Sequence, residues 1–491
     1  MTVPVVVITK IDGQTGVPLA PDPRGVLALI APCQQGALLT PANITKPANA
    51  LTTYGYGMAT SYLYYHLPVV KKQVLYTRQS TTVAPVTGTF TYTGTGLLSG
   101  SITQTGTPLD DFQGMVQFVV GGTTGITGIT YQTSIDGRAF GDPAKVWSAV
   151  QALGVGLTIT VPNTGITYTL VTAKTVVAGD WFVVNITGPR FNDADVSAAL
   201  TALGNSGQPW EMLLVLGIDA TTTTLSNIDT FLAGLESSGK YKGFIVNARL
   251  RAQDGSETEA QYLTALTTLY SGSASIRGDL TADGSYFTDP LRGIDVVRST
   301  AWGFVPRLMS QGVTIDAAQV DLGPIPNVRI TDANGNAKYH DEQLNPGLDD
   351  QRMVTYRTFN NKVGVFINNP KVISTPGSDY FFAQQIRTMN RACELAFGPL
   401  TDKLSKGGFK DPVTARIRED SAQDIESAVN NPLVEELGKS VVFINFTLSR
   451  DDDVSSNAGA TLTGTINLIM PFYIKGFQVN ARFQRTVSAS T

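Results

Sequence analysis

The first apolar run stands at the head of the chain, where Val3, Pro4, Val5, Val6, Val7 and Ile8 form a β-branched strand candidate. Asp12, Gly13, Gly16, Pro18, Pro21 and Pro23 follow it and read as a stiff tether. From Gly25 the texture is that of an α/β domain, with a buried strand near Val26 to Ile30, an aromatic helix around Tyr62 to Tyr65 and a strand near Gln73 to Tyr76. Between about Thr81 and Asn192, Thr and Gly dominate and the apolar runs shorten to Met115–Val120, Gly156–Val161 and Trp181–Ile186. This pattern predicts an all-β insertion, with room for one short helix near Val146 to Leu153. The α/β alternation then resumes: Met212–Leu216, a helix over Leu225–Leu235, Phe244–Val246, a helix over Glu257–Tyr270, and a strand at Ile294–Val297. Strands alternating with helices imply a largely parallel sheet.

The last third opens with a predicted hairpin turn at Asp332, Ala333, Asn334, Gly335 and Asn336. A helix with Phe382, Ile386, Met389, Cys393 and Ala396 on one face is expected to stop at Gly398 and Pro399. A second helix is expected to start at Ser421, with Asp424 at its capping position, and to give way to a new turn at Asn431 and Pro432. Two strands follow, one with Val442, Ile444, Phe446 and Leu448 on a face, the other with Leu462, Ile466, Leu468, Met470 and Phe472. After Gly476, Phe477, Val479, Ala481 and Phe483 alternate with Gln478, Asn480 and Arg482 shortly before the chain ends. The fold class is therefore multidomain α+β: an arm and tether (1–24), an α/β domain split over 25–80 and 193–300, an inserted β domain (81–192), a C-terminal α+β domain (301–475) and a second arm (476–491).

Length and charge narrow the function. The 491 residues suffice for about three domains. Only 15% of residues are charged, and the formal net charge is −4, so no basic stripe offers to neutralise nucleic-acid phosphates. No apolar run reaches the length of a membrane span. Cys33 and Cys393 are the only cysteines, and with no signal-peptide pattern a reducing cytoplasm is the expected site of synthesis.

Catalytic material is scarce. His66 and His340 are the only histidines, too few for a histidine metal site, and are read as surface or packing residues. Cys393 lies on an apolar helix face and is read as core. Gly234 to Lys240 imitates a phosphate loop, but Tyr241 stands where Ser or Thr would hold magnesium, and the segment ends a helix instead of opening one; a helix C-cap is the reading. Asp332, Asn334 and Asn336 resemble the start of a calcium loop, yet Ala337 and Gln343 replace the required Gly and Glu. Asp451, Asp452 and Asp453 are read as a solvated loop, and Asn43, Asn185 and Asn445 as sequons without consequence. No catalytic residue, cofactor or metal is expected.

Two strand-competent termini on Gly/Pro tethers point instead to assembly. A terminal strand needs a sheet edge, its own or a neighbour's, and two of them favour exchange between subunits. The candidate interface residues are Val3, Val5, Val7, Ile8, Phe477, Val479, Ala481 and Phe483. About four interchain backbone bonds per arm, at about 0.5 to 1.5 kcal/mol each, would contribute about 2 to 6 kcal/mol.

The order of parts resembles the tail sheath proteins of contractile phages, pyocin-type particles and related injectors. The resemblance rests on the strand Val3–Thr9, the split α/β body, the C-terminal domain from about Trp302, the strand Phe477–Phe483, and the stretch from Gly106, Thr107, Pro108, Leu109 and Asp110 through Gly125 to Ser134, Ile135, Asp136 and Gly137. It implies stacked hexameric rings around a tail tube, the C-terminal domain innermost and the β domain outside, with neighbours' arms completing its sheet. It further implies contraction that drives the tube through an envelope, contact with baseplate and tail-terminator proteins, and residence in a virion tail assembled in the bacterial cytoplasm. Arg416 to Glu426 is a tube-facing candidate from its charge. Alternatives are another virion component, such as a tail tube or adhesin, and a nucleotide-dependent α/β enzyme.

Overall fold

The computed structural model describes residues 24–475 apart from 97–99, 253–255, 333–334, 337, 405–407 and 456–460. Its centre is a seven-stranded sheet in the order Ala42–Ile44, Val74–Arg78, Leu27–Ala31, Met212–Val215, Gly243–Asn247, Gly278–Thr281, Met353–Val354. Every pairing is parallel except that of the Ala42–Ile44 edge. The inner strands are buried on both faces, which is why they read as unbroken apolar runs. Helices Asp193–Asn205, Thr222–Glu236 and Glu259–Tyr270 cover one face, each started by a capping box from Asn192, Thr221 or Thr258. Helices Met58–Val70 and Ala301–Met309 cover the other, where Tyr62 meets Trp302 edge-on at 5.2 Å.

Three sequence expectations change here. The segment after residue 301 does not leave the α/β body: Trp302, Phe304, Val305 and Leu308 fill its core, and Met353–Val354 extends its sheet. The helix Ala301–Met309 packs there against the aromatic face of Met58–Val70. Ile294–Ser299 pairs not with the parallel sheet but antiparallel to Gly284–Asp289, which also binds Val328–Arg329. Near residue 150 there is no helix; Gln151–Ala152 pairs as a short strand with Thr130–Ser134.

All the regular elements between Val86 and Thr187 are strands. The largest sheet there runs Gln151–Ala152, Thr130–Ser134, Phe112–Val120, Trp181–Thr187, Val86–Thr87, with Thr91–Thr93 also on Trp181–Thr187. Phe112, Phe118, Tyr168 and Phe182 form an apolar cluster separate from those of the α/β body. Two buried ionic knots tie this region to the body. Arg298 Nη2 donates to Asp110 Oδ2 (2.6 Å), and Arg292 Nη2 reaches the same oxygen (3.1 Å). Asp136 accepts from Arg138 Nη1 (2.7 Å) and from the Asp295 amide (3.0 Å).

A fourth cluster joins helices Ala383–Lys403 and Glu419–Leu437 to the hairpin Phe443–Leu448/Gly464–Ile469. Both helices outrun their predicted stops, with Pro399 and Pro432 inside them. A proline forfeits one backbone bond and strains a turn. Leu400 beyond Pro399, and Leu433 and Leu437 beyond Pro432, pack into this cluster and hold the helices through the defect.

Candidate assembly interface

The C-terminal hairpin pairs Phe443 with Ile469 through Leu448 with Gly464. Ser449 N–H donates to Thr463 C=O (2.7 Å), so the ladder bonds fall on the odd residues of the first strand, and the main chains of Ile444, Phe446 and Leu448 face away from the partner strand. That outer edge is closed. Asn430 Nδ2 donates to Phe446 C=O (2.9 Å), Phe446 N–H donates to Asn430 Oδ1 (2.7 Å), and Leu448 N–H donates to Glu426 Oε1 (2.7 Å). Both side chains come from the Glu419–Leu437 helix. Glu426 is held in place by Arg450 Nη1 (2.6 Å), which keeps its carboxyl below the usual range.

The opposite edge is open. By the same parity Gly464, Ile466 and Leu468 present N–H and C=O outward, and among the described residues the main chains of Ile466 and Leu468 find no partner on that side. Two strands alone are marginal in water, and an unpaired edge is a template for a further strand. The faces differ as well: Ile444, Phe446 and Leu448 are buried on the helices, whereas Asn445 opposite Asn467 and Thr447 opposite Thr465 form the outer face. A third strand that continues this sheet must alternate apolar and polar residues. Apolar side chains stand exposed around it, including Phe443, Ile469, Phe472 (87% exposed) and Ile474.

The eight interface residues drawn from the sequence, Val3, Val5, Val7, Ile8, Phe477, Val479, Ala481 and Phe483, lie outside the described residues. The edge that could receive them has no sequence signal beyond two alternating strands, since the role of Asn430 and Glu426 depends on how the helix crosses the hairpin. In the Arg416 to Glu426 region the charges are paired internally: Arg416 with Asp451 (2.6 Å), Arg418 with Asp420, and Glu419 with Arg450 (2.8 Å).

The histidines, Cys393 and the motif imitations lie in distinct surroundings. His66 is fully buried against Tyr62 (3.0 Å), and burial pushes its imidazole down to about 3. His340, expected at the surface or in packing, is buried between the Glu259 and Glu342 carboxylates at 2.7 Å each; they outweigh desolvation and raise it to about 9. Its neighbours in the sequence did not reveal Glu259, which arrives from a separate helix. Cys393 is half-buried, and burial together with Glu236 and Glu394 pushes its thiol up to about 11. The phosphate-loop imitation closes the Thr222–Glu236 helix, with Gly239 at φ +75° and Lys240 N–H bonded to Leu235 C=O (3.1 Å). Asp332 accepts from the Gly335 amide in a turn (3.1 Å). No group of three or more His, Cys, Asp or Glu among the described residues could hold a metal ion, and no described helix is long and apolar enough to cross a membrane.

Parallel α/β sheets bind ligands outside the carboxyl ends of strands where the strand order reverses. Here that point lies between Leu27–Ala31 and Met212–Val215, and the base of the β region plugs it. Arg190 pairs with Asp111 (2.6 Å), Phe191 N–H donates to Gly217 C=O (2.8 Å), and a cavity of about 30 Å³ is left, room for about two waters.

No family model matches the sequence, and no curated protein does. Among solved structures, the sheath tail proteins of Listeria innocua (12% identity, 91% of this chain and 95% of that one, TM-score 0.45) and Desulfitobacterium hafniense (13%, 95% and 100%, TM-score 0.46) are similar. The sheath of the PVC extracellular contractile injection system, in its contracted state, aligns over 99% of each chain at 8% identity with a TM-score of 0.52. This chain has the fold of a contractile sheath protein. That alignment extends over almost the whole length of both chains.

Proposed function

We propose that the chain is the structural subunit of a contractile tail sheath, polymerising as stacked hexameric rings around a tail tube and contracting to drive that tube through a host envelope. The end-to-end fold match to the PVC sheath supports this most strongly. The open edge at Ile466 and Leu468 agrees with it, because it offers the receiving surface that strand exchange requires. The arms at 3–8 and 477–483 of neighbouring copies complete this sheet, with Val3, Val5, Val7, Ile8, Phe477, Val479, Ala481 and Phe483 in the interface. The region around 81–192 forms the outer β domain, and the C-terminal unit faces the tube. Baseplate and tail-terminator proteins bound the polymer, and the assembly belongs to a virion tail built in the bacterial cytoplasm.

Contraction in this scheme is rigid-body motion of folded units linked by paired arms, with no turnover of substrate. The plugged crevice and the helix-capping role of Gly239 and Lys240 support a non-enzymatic role. The test is polymerisation of purified protein followed by electron microscopy: hollow ring-stacked tubes support the reading, and a monomer with nucleotide turnover abolished by Lys240→Ala overturns it.

A further inference from the structure

We infer that the β region carries a second contact between copies: the free edge of Ile102–Gly106 in one copy pairs, parallel and in register, with the free edge of Thr158–Val161 in the next. The inference rests on the proposed polymer, which supplies the neighbouring copy.

The strands Thr158–Val161, Ile166–Leu170 and Ile102–Gly106 form a three-stranded sheet in that order. Each holds a Thr-x-Thr pair, and the register places Thr158, Thr169 and Thr103 in one row and Thr160, Thr167 and Thr105 in the next. Side chains alternate across a strand, so the six threonines share the outer face. The residues between them turn the other way, where Ile159, Ile166, Tyr168 and Ile102 enter the apolar cluster of the β region.

Both outer strands leave a row of main-chain groups unused. Leu170 N–H donates to Leu157 C=O (2.9 Å) and Val171 N–H to Ser101 C=O (3.0 Å), which fixes the parity of the two ladders. The main chains of Thr158 and Thr160 therefore point out of the sheet on one side, and those of Ile102, Gln104 and Gly106 on the other. Among the described residues they find no partner there. Edge strands are ordinarily blunted by a charge, a proline or a bulge. Neither segment has a charged residue or a proline, and both ladders run without a register shift. The edge at Phe446 and Leu448, by contrast, is closed by Asn430 and Glu426.

The two free edges fit each other. Both strands are antiparallel to Ile166–Leu170 and so run parallel to one another. A second copy set alongside in the same orientation brings its Thr158–Val161 beside Ile102–Gly106 of the first. With Ile159 opposite Gln104, Thr158 N–H donates to Ile102 C=O, Gln104 N–H to Thr158 C=O, Thr160 N–H to Gln104 C=O, and Gly106 N–H to Thr160 C=O. All the free groups of Thr158 and Thr160 are then used, and both threonine rows continue across the boundary. Two unlike edges make a head-to-tail contact that repeats around a ring or helix, whereas like edges meet about a two-fold axis and stop at a dimer. Four such bonds are a modest contact, which closes between copies that the polymer already holds side by side.

Cysteine trapping in the full-length chain reads this pairing. Within one copy Thr103 and Thr158 are two strand spacings apart, about 9 to 10 Å. A disulfide needs Cα atoms about 4.4 to 6.8 Å apart, so it closes only between copies. Both threonines are exposed, so neither substitution touches the core. Thr103→Cys with Thr158→Cys, polymerised and then oxidised with copper–phenanthroline, gives a ladder of dimers, trimers and longer chains on a non-reducing denaturing gel. Each single variant stays monomeric, as does the parent with Cys33 and Cys393 alone. Adding Thr160→Pro to the double variant removes an outward N–H, spares the strand's own ladder, and lowers the cross-linked fraction about fivefold or more. A dimer from either single variant, or a ladder indifferent to Thr160→Pro, overturns the inference. Electron microscopy of the same samples separates the two levels: ring-stacked tubes without a ladder overturn the edge contact and leave the sheath reading standing, whereas neither tubes nor ladder overturns both.

Discussion

Replacing Asp110 by Ala tests how firmly the β region is fixed to the α/β body. The Asp110 carboxylate is 2% exposed and shared by Arg298 and Arg292, themselves 1% and 10% exposed. Arg292 keeps Asp289 as a partner (3.1 Å), but Arg298 Nε and Nη1 make no hydrogen bond among the described residues, and its guanidinium rests on the Trp302 ring at 4.6 Å. Removing one member of a buried pair leaves an uncompensated charge and costs about 3 to 5 kcal/mol. Against a domain stability of about 5 to 15 kcal/mol this is a large fraction. The assay is urea unfolding of monomer followed by tryptophan fluorescence, to which Trp302 under Arg298 contributes. Asp111→Ala is the comparison, since its partner Arg190 is 21% exposed and the pair should contribute only about 1 kcal/mol. Asp110→Leu with Arg298→Met should recover much of the loss, because an apolar pair of similar volume replaces a buried ion pair at little cost. An Asp110→Ala cost below about 1 kcal/mol, or equal to that of Asp111→Ala, would refute the picture of a rigid attachment.

Three further expectations follow from single sites. Asn430→Ala removes both bonds to Phe446; it should cost about 1 to 3 kcal/mol and speed amide exchange at Phe446 and Leu448, and unchanged exchange there would contradict the closed edge. His340 keeps its proton to about pH 9 when folded but only to about 6.5 when unfolded, so its contribution is full below pH 6.5 and fades as pH rises through 9. Between those limits the parent should lose about 3 kcal/mol more than His340→Asn in urea titrations, and parallel pH profiles would count against the Glu259–His340–Glu342 pairing. Gly239→Ala meets both a φ of +75° and the Phe397 ring against the new methyl; a loss of about 2 to 4 kcal/mol is expected, and one below about 0.5 would be inconsistent with the observed cap.

The central sheet was readable because strands buried on both faces announce themselves, as Leu27–Ala31 and Met212–Val215 do. Helix ends were misread at Pro399 and Pro432, where local rules say stop and distant packing through Leu400, Leu433 and Leu437 says continue. The domain boundary drawn near residue 301 falls inside the α/β body, because the helix Ala301–Met309, which the sequence reading did not pick out, packs on the central sheet. Contacts assembled from remote segments left no trace in the sequence. Asp110 with Arg298, Glu259 with His340, and Asn430 with Phe446 each become partners only through the fold. The terminal strand candidates were read from the sequence, as an apolar β-branched run at Val3–Ile8 and as alternation at Phe477–Phe483; the open edge at Ile466 and Leu468 became visible only when the hairpin's hydrogen-bond parity was known.

Negative-stain electron microscopy of the purified full-length chain, beside chains lacking residues 1–10 or 476–491, tests the central claim most directly. The account predicts hollow, ring-stacked tubes from the full chain, and folded monomers with almost unchanged melting from both truncations. Monomers or smooth narrow tubes from the full chain, or truncated chains that polymerise equally well, would contradict it.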